Sequence, residues 1–329
     1  MKAGSSGGNL KNSRITWALA SYAAIVLAFR VWLARPPLGL SLGQNLIPAF
    51  ACFVLLLAPL WFFGFGAGEL LREAIHSRWL RILVPTLLGV PYVVFAIPTS
   101  NFHWQFAGTV FVLPLALAAL LEPALPARLS WRDALVLAAL VAVYMLRVLA
   151  GAWPYPGLGA LPKLYVADLA LYLYLVVRRL QGMGYSLFPT LSAVLIGLRE
   201  WVFFLPFGLG LGAALGFIHF HHHVPSARGV IAGVLVTFLL VAIPEEMFFR
   251  GILQNLLETR LKPWIALVTA SALFGLSHFN KGASFNWRYV LLAAIAGVFY
   301  GRAWRAHRQL LASAITHTAV DVVWSLWFR

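Results

Sequence analysis

Apolar residues along this chain neither alternate nor keep to one helical face. They run on in long stretches, and polar and basic residues collect in the gaps between them. Such runs predict membrane-crossing helices. The spans read as Ile15–Ala34, Asn45–Gly66, Leu80–Ile97, Gln105–Leu121, Ala134–Leu149 and Leu164–Val177, followed by Trp201–Ile218, Val230–Phe249, Trp264–His278, Tyr289–Trp304 and Gln309–Trp327. The fold class is therefore all-α, a polytopic transmembrane bundle of about 10–11 membrane helices. Residues 1–14 read as a polar, disordered cytoplasmic tail, and residues 15–180 as an N-terminal bundle of unknown role. Residues 181–329 form a second domain, in which the short, interrupted segment Tyr185–Leu198 is expected to be interfacial or re-entrant.

Composition agrees, since 61% of the 329 residues are hydrophobic and only 11% are charged. The net charge of +15 comes from Lys and Arg placed singly or in pairs at the ends of apolar runs. That is the pattern of membrane anchors and not of a nucleic-acid surface. The basic groups Lys2, Lys11 and Arg14, then Arg72, Arg78 and Arg81, then Arg128 and Arg132, Arg178 and Arg179, Arg260 and Lys262, and Arg302 to Arg308 fall on alternate sides of the spans. They predict a cytoplasmic N-terminus, eleven crossings and a location in a plasma or inner membrane. The single cysteine, Cys52, excludes an intrachain disulfide and a CxxC site. Glycines four apart (Gly208, Gly212 and Gly216; Gly229 and Gly233; Gly297 and Gly301) predict close helix approach.

The chemistry concentrates in Gly229–Glu258, which places Glu245 and Glu246 inside an apolar run. A charge at bilayer depth costs roughly 2.5–3.5 kcal/mol on insertion scales, so two adjacent ones need a reason. Glu246 and Arg250 are four apart and share a face, an arrangement that pairs them. Glu245 points about 100° away and has no partner in its own segment, as a buried general base would. Counted along the helices on either side of the turn Thr259–Pro263, Glu245 and His278 lie about 20 Å and 21 Å from it, at matched depth. His317 and Asp321 are four apart on one face of a later span. Glu245, His278 and His317 are thus expected to converge in one intramembrane cavity.

These residues carry a resemblance. EExxxR (Glu245, Glu246, Arg250), FxxxH (Phe274, His278) and HxxxD (His317, Asp321), in that order on successive helices, resemble the CPBP family. These are the CAAX-processing and bacteriocin-processing intramembrane endopeptidases, and the resemblance covers roughly residues 180–329. It implies that Glu245 activates water, that Glu246 and Arg250 support that site, and that His278 assists water or substrate. His317 and Asp321 would form the oxyanion side. Many members have Asn where this chain has Asp321. An ionised Asp cannot donate a hydrogen bond to an oxyanion, so Asp321 is expected to orient the His317 ring instead. The implied substrate is a peptide or lipidated protein held at the membrane, with membrane lipid as the other partner. No cofactor is implied.

Other readings of the same residues remain. Glu245, His278 and His317 are ordinary zinc ligands, although HExxH is absent and the Glu246–Arg250 pair competes with metal. The same constellation would serve a transporter or a proton- or cation-binding protein. Singly, Glu246–Arg250 and His317–Asp321 are also what structural pairs look like, and His278 what a core histidine looks like. Arg199 with Glu200 reads as a structural pair. The run His219, His221, His222 and His223 reads as an interfacial loop.

Overall fold

The computed structural model describes residues 5–34, 42–123, 127–222, 224–279 and 285–328, the side chains of 5–13 excepted. Among them there are helices and no strand. Contacts divide the chain into two compact units, one of Met1–Leu125 with Trp131–Arg179 and one of Pro126–Ser130 with Leu180–Arg329.

The first unit contains α1 (Ser5–Leu33), α2 (Leu46–Phe63), α3 (Ala67–Ala74), α4 (Arg78–Ala96), α5 (Trp104–Leu121), α6 (Trp131–Met145) and α7 (Leu161–Tyr172). α1 takes in residues 5–14, expected as a disordered tail. Adding polar residues to a helix already nucleated by an apolar span costs little, because each fixes one residue for one hydrogen bond. α4 tightens into a 3₁₀ stretch at Val84–Gly89, where Pro85 removes a donor. Asp133 at the start of α6 is fully buried and accepts from Arg178 Nε at 2.9 Å.

The second unit contains α8 (Leu191–Ala214), α9 (Ala227–Glu258), α10 (Pro263–Leu276), α11 (Trp287–His307) and α12 (Leu310–Trp327). Tyr185–Leu198, expected to be interfacial or re-entrant, is not a separate element. Its second half is the start of α8, because Thr190 Oγ1 accepts from the Ala193 amide at 3.1 Å and caps the helix just after Pro189. His219, His221 and His222 lie in the link between α8 and α9, where the His221 amide donates to the Trp327 carbonyl at 2.8 Å. His223 lies outside the described residues.

Among the described residues, seven helical stretches are long and apolar enough to cross a membrane: Arg14–Leu33, Gly43–Phe63, α4, α5, α8, α9 and α12. The other expected crossings are short, as with α6, α7 and α10, or carry several charges, as with Arg288, Arg302 and Arg305 on α11. The chain is a polytopic helical membrane protein.

The glycine pattern is only half realised. At Gly297 a β-carbon would lie 3.1 Å from Arg250 Nη2 and 3.2 Å from Ser271 Cα, so α11 meets α9 and α10 closely there. Gly301 is equally confined, with Gln254 Oε1 2.6 Å from the same construction. At Gly208 and Gly212 the nearest atoms belong to Phe204 and Ile218, near in sequence, and nothing lies within 4 Å at Gly216 or Gly233. Spacing alone does not show which face of a helix meets a neighbour.

Candidate active site

The site is built on α9, whose backbone is not a regular α-helix. Wide π turns occupy Phe238–Ala242 and Met247–Gln254, and the single α turn Ile243–Glu246 between them carries both glutamates. Pro244 supplies a cause: it has no N–H to donate, and its ring crowds the carbonyl four residues back, at Leu240. The widened turn on that side relieves the clash without breaking the helix.

Glu246 and Arg250 are both fully inaccessible, and Glu246 Oε2 lies 3.2 Å from Arg250 Nε. The guanidinium also donates through Nη2 to the Gly297 carbonyl at 2.9 Å and lies 4.7 Å from the Phe274 ring centroid. Ser313 Oγ is hydrogen-bonded to Glu246 Oε2 and lies 2.9 Å from the Tyr300 carbonyl. The other glutamate oxygen, Oε1, accepts from His317 Nδ1 at 2.7 Å. Glu246 is therefore the hub of a network that joins α9, α11 and α12.

Asp321, expected to orient this ring, shares it with Glu246. One imidazole nitrogen is already held by Glu246, in a dry site and at short range. Asp321 Oδ2 stands 3.4 Å from the other nitrogen, Nε2, and its side chain is 36% exposed. Glu245 Oε2 is 3.8 Å from the same Nε2, with 13% of its side chain exposed. The ring lies flat against Tyr300, 4.5 Å between centroids and 13° between planes. Carboxylate oxygens thus face both ring nitrogens of His317.

His278 stands in a turn just past the end of α10 and not within it. Its Nδ1 lies 2.9 Å from the Phe274 carbonyl, a group that can only accept, so Nδ1 carries the proton and Nε2 keeps its lone pair. The His278 and His317 rings both make edge contacts with Phe274, at 4.8 and 5.6 Å. Both histidines and Asp321 line a cavity of about 90 Å³, whose other walls are apolar and aromatic and include Phe204, Tyr289, Ala296 and Trp324.

All six expected site residues thus belong to one unit, and His317 lies within 4 Å of Glu245, Glu246 and Asp321. As for metal, among the described residues no three His, Cys, Asp or Glu side chains form a group that could hold an ion.

Sequence reasoning missed Ser313 and Tyr300. Ser313 had a legible signal: Ser313, His317 and Asp321 recur every four residues and share one face of α12. Tyr300 had none, because its place under the imidazole depends on how α11 packs.

Residues 227–323 match the model of a family described as Rce1-like, type II CAAX prenyl endopeptidase. The matched stretch contains all six candidate residues. No curated protein and no solved structure matches the chain. The C-terminal part of the chain is thus similar to the Rce1-like family over those residues.

Proposed function

We propose that this protein hydrolyses a peptide bond of a membrane-held substrate, using a water activated by Glu245. At family level a CAAX-type membrane protease is what the match supports. The observation that carries the finer reading is the placement of His317, fixed at Nδ1 by Glu246 and presenting Nε2 beside Glu245.

Peptide hydrolysis needs a base for water, a donor for the tetrahedral oxyanion and a proton for the leaving amine. Glu245 takes the water proton. His278 Nε2, left as an acceptor by its Nδ1 bond to Phe274, holds that water in line. The oxyanion that forms receives the Nε2–H of His317, whose positive charge is balanced by Glu246 behind it. Protonated Glu245 then passes its proton to the departing amine. Arg250 and Ser313 do not touch substrate; they hold Glu246, and through it the ring. The substrate class is a lipidated or otherwise membrane-associated peptide, consistent with the apolar cavity walls and with the description of the matched family.

The test is turnover of a prenylated C-terminal peptide by the purified full chain in lipid vesicles, wild type against Glu245→Gln. Cleavage that vanishes in the variant supports the reading. Cleavage retained within about tenfold would remove Glu245 from the water-activating role.

A further inference from the structure

A second charged constellation lies away from the catalytic one, on the seam between α8 and α11. Glu200 on α8 is 1% exposed, and it is shared by two arginines. Arg199 Nη2 donates to Oε1 at 2.8 Å, and Arg302 Nε on α11 lies 3.0 Å from Oε2. The two guanidiniums are about half exposed, at 51% and 47% of their side chains. Neither makes a second ion pair among the described residues, so the group carries one positive charge in excess.

Its surroundings are lipid-facing. Leu195, Leu198, Val202 and Phe203, the α8 residues around Arg199, are all exposed. The Arg302 guanidinium lies 5.8 Å from the Phe203 ring and 5.5 Å from the Phe299 ring. Arg199 is eight residues from the start of α8, about 12 Å, and Arg302 five residues from the end of α11, about 8 Å. α8 itself is about 36 Å long against roughly 30 Å of hydrocarbon, so its ends reach the headgroups. With α8 centred, its start overhangs the hydrocarbon by about 3 Å, so the Arg199 backbone lies about 9 Å below the headgroups, and the long stems of Arg199 and Arg302 snorkel towards them.

We propose that Arg199 and Arg302 form a binding site for the headgroup phosphate of an anionic phospholipid, with Glu200 holding the two forks at fixed separation. A phosphodiester supplies the missing negative charge, and its oxygens accept from the N–H groups that Glu200 leaves over. The acyl chains lie along the apolar face of α8. The two helices that carry the site also wall the catalytic cavity: α8 contributes Trp201 and Phe204, and α11 contributes Ala296 and Tyr300. A lipid that clamps these two helices fixes the register of that wall.

The test measures binding, not proteolysis, so it stands or falls apart from the catalytic proposal. The purified full chain in neutral detergent is titrated with phosphatidylglycerol, with phosphatidylcholine and with inorganic phosphate, and its unfolding midpoint is recorded. Phosphatidylglycerol should raise the midpoint saturably, and phosphatidylcholine and inorganic phosphate should not. Arg199→Gln leaves Arg302 as counter-charge to Glu200, so it should fold, yet it should bind phosphatidylglycerol roughly tenfold more weakly. Arg199→Lys should recover part of the loss. Equal shifts with both lipids, an undiminished shift in Arg199→Gln, or a shift reproduced by inorganic phosphate alone would each overturn the assignment.

Discussion

His317 Nδ1 lies 2.7 Å from Glu246 Oε1, and this contact makes the second glutamate of the pair a positioning group. Adjacent in sequence, the two carboxylates have separate surroundings: Glu246 is fully inaccessible, and Glu245 keeps 13% of its side chain exposed. Glu246→Gln leaves Arg250 buried without its counter-charge and should cost about 3–5 kcal/mol of stability. Glu245→Gln should abolish cleavage and leave the unfolding midpoint close to wild type. Thermal unfolding of both variants in detergent checks this, and equal losses would end the division of roles.

His278 should behave as a group of the reaction and not of the core. Its Nδ1 is committed to the Phe274 carbonyl, and the ring borders the cavity. His278→Ala should lower turnover by about 10²-fold, the cost of losing the group that holds the water in line. Binding of an uncleavable peptide should change little. A variant that binds peptide poorly but turns over what it binds would mark His278 as a substrate-binding group instead.

How much of this was legible in the sequence depends on what each feature rests upon. Apolar run length gave the helical class, because a backbone in lipid must satisfy its own hydrogen bonds. The four-residue spacing gave Glu246–Arg250, found at 3.2 Å, and set His317 and Asp321 on one face, 3.4 Å apart. What spacing does not carry is the partner across helices. Glu246 reaches His317 over 71 positions, and that contact gives the ring a partner besides Asp321. The π turns around Pro244 were hidden as well, since counting along α9 had assumed a regular helix.

Packing at Gly297 offers a stability test with its own control. A methyl there would press on Arg250 Nη2 and on the backbone at Ser271, whereas at Gly233 nothing lies within 4 Å. Gly297→Ala should destabilise by about 1–3 kcal/mol, the usual cost of overpacking. It should also lower activity, because the Gly297 carbonyl is an acceptor for Arg250. Gly233→Ala should be neutral or slightly stabilising. Unfolding midpoints of the two variants, measured side by side, decide whether α11 meets α9 as closely as the structure has it.

Metal content bears on the water-activation proposal. If Glu245 takes the proton from water unaided, prolonged chelation should leave turnover intact, and the purified protein should hold well under one zinc per chain. Zinc at one per chain, with activity lost on removal and restored on return, would make the reaction a metalloprotease reaction.

Asp321 separates two ways of using a carboxylate beside a histidine. Were it the group that orients His317, removing it would free the ring, and Asp321→Leu would approach His317→Ala in damage. The structure assigns the orienting contact to Glu246 at 2.7 Å, while Asp321 stands 3.4 Å from Nε2 with 36% of its side chain exposed. Its contribution is then that of a partly exposed carboxylate near the donor nitrogen, open to screening by solvent. Asp321→Asn keeps an acceptor and adds an amide donor, so turnover should fall by no more than about tenfold, roughly 1.4 kcal/mol of barrier. Asp321→Leu should fall by about tenfold and leave the ring in place. His317→Ala removes the oxyanion donor itself and should cost about 10²–10³. Turnover of the three variants on one peptide decides the matter. If Leu proves as damaging as the loss of His317, Asp321 is the group that orients the ring, and the division between the two carboxylates drawn here is wrong.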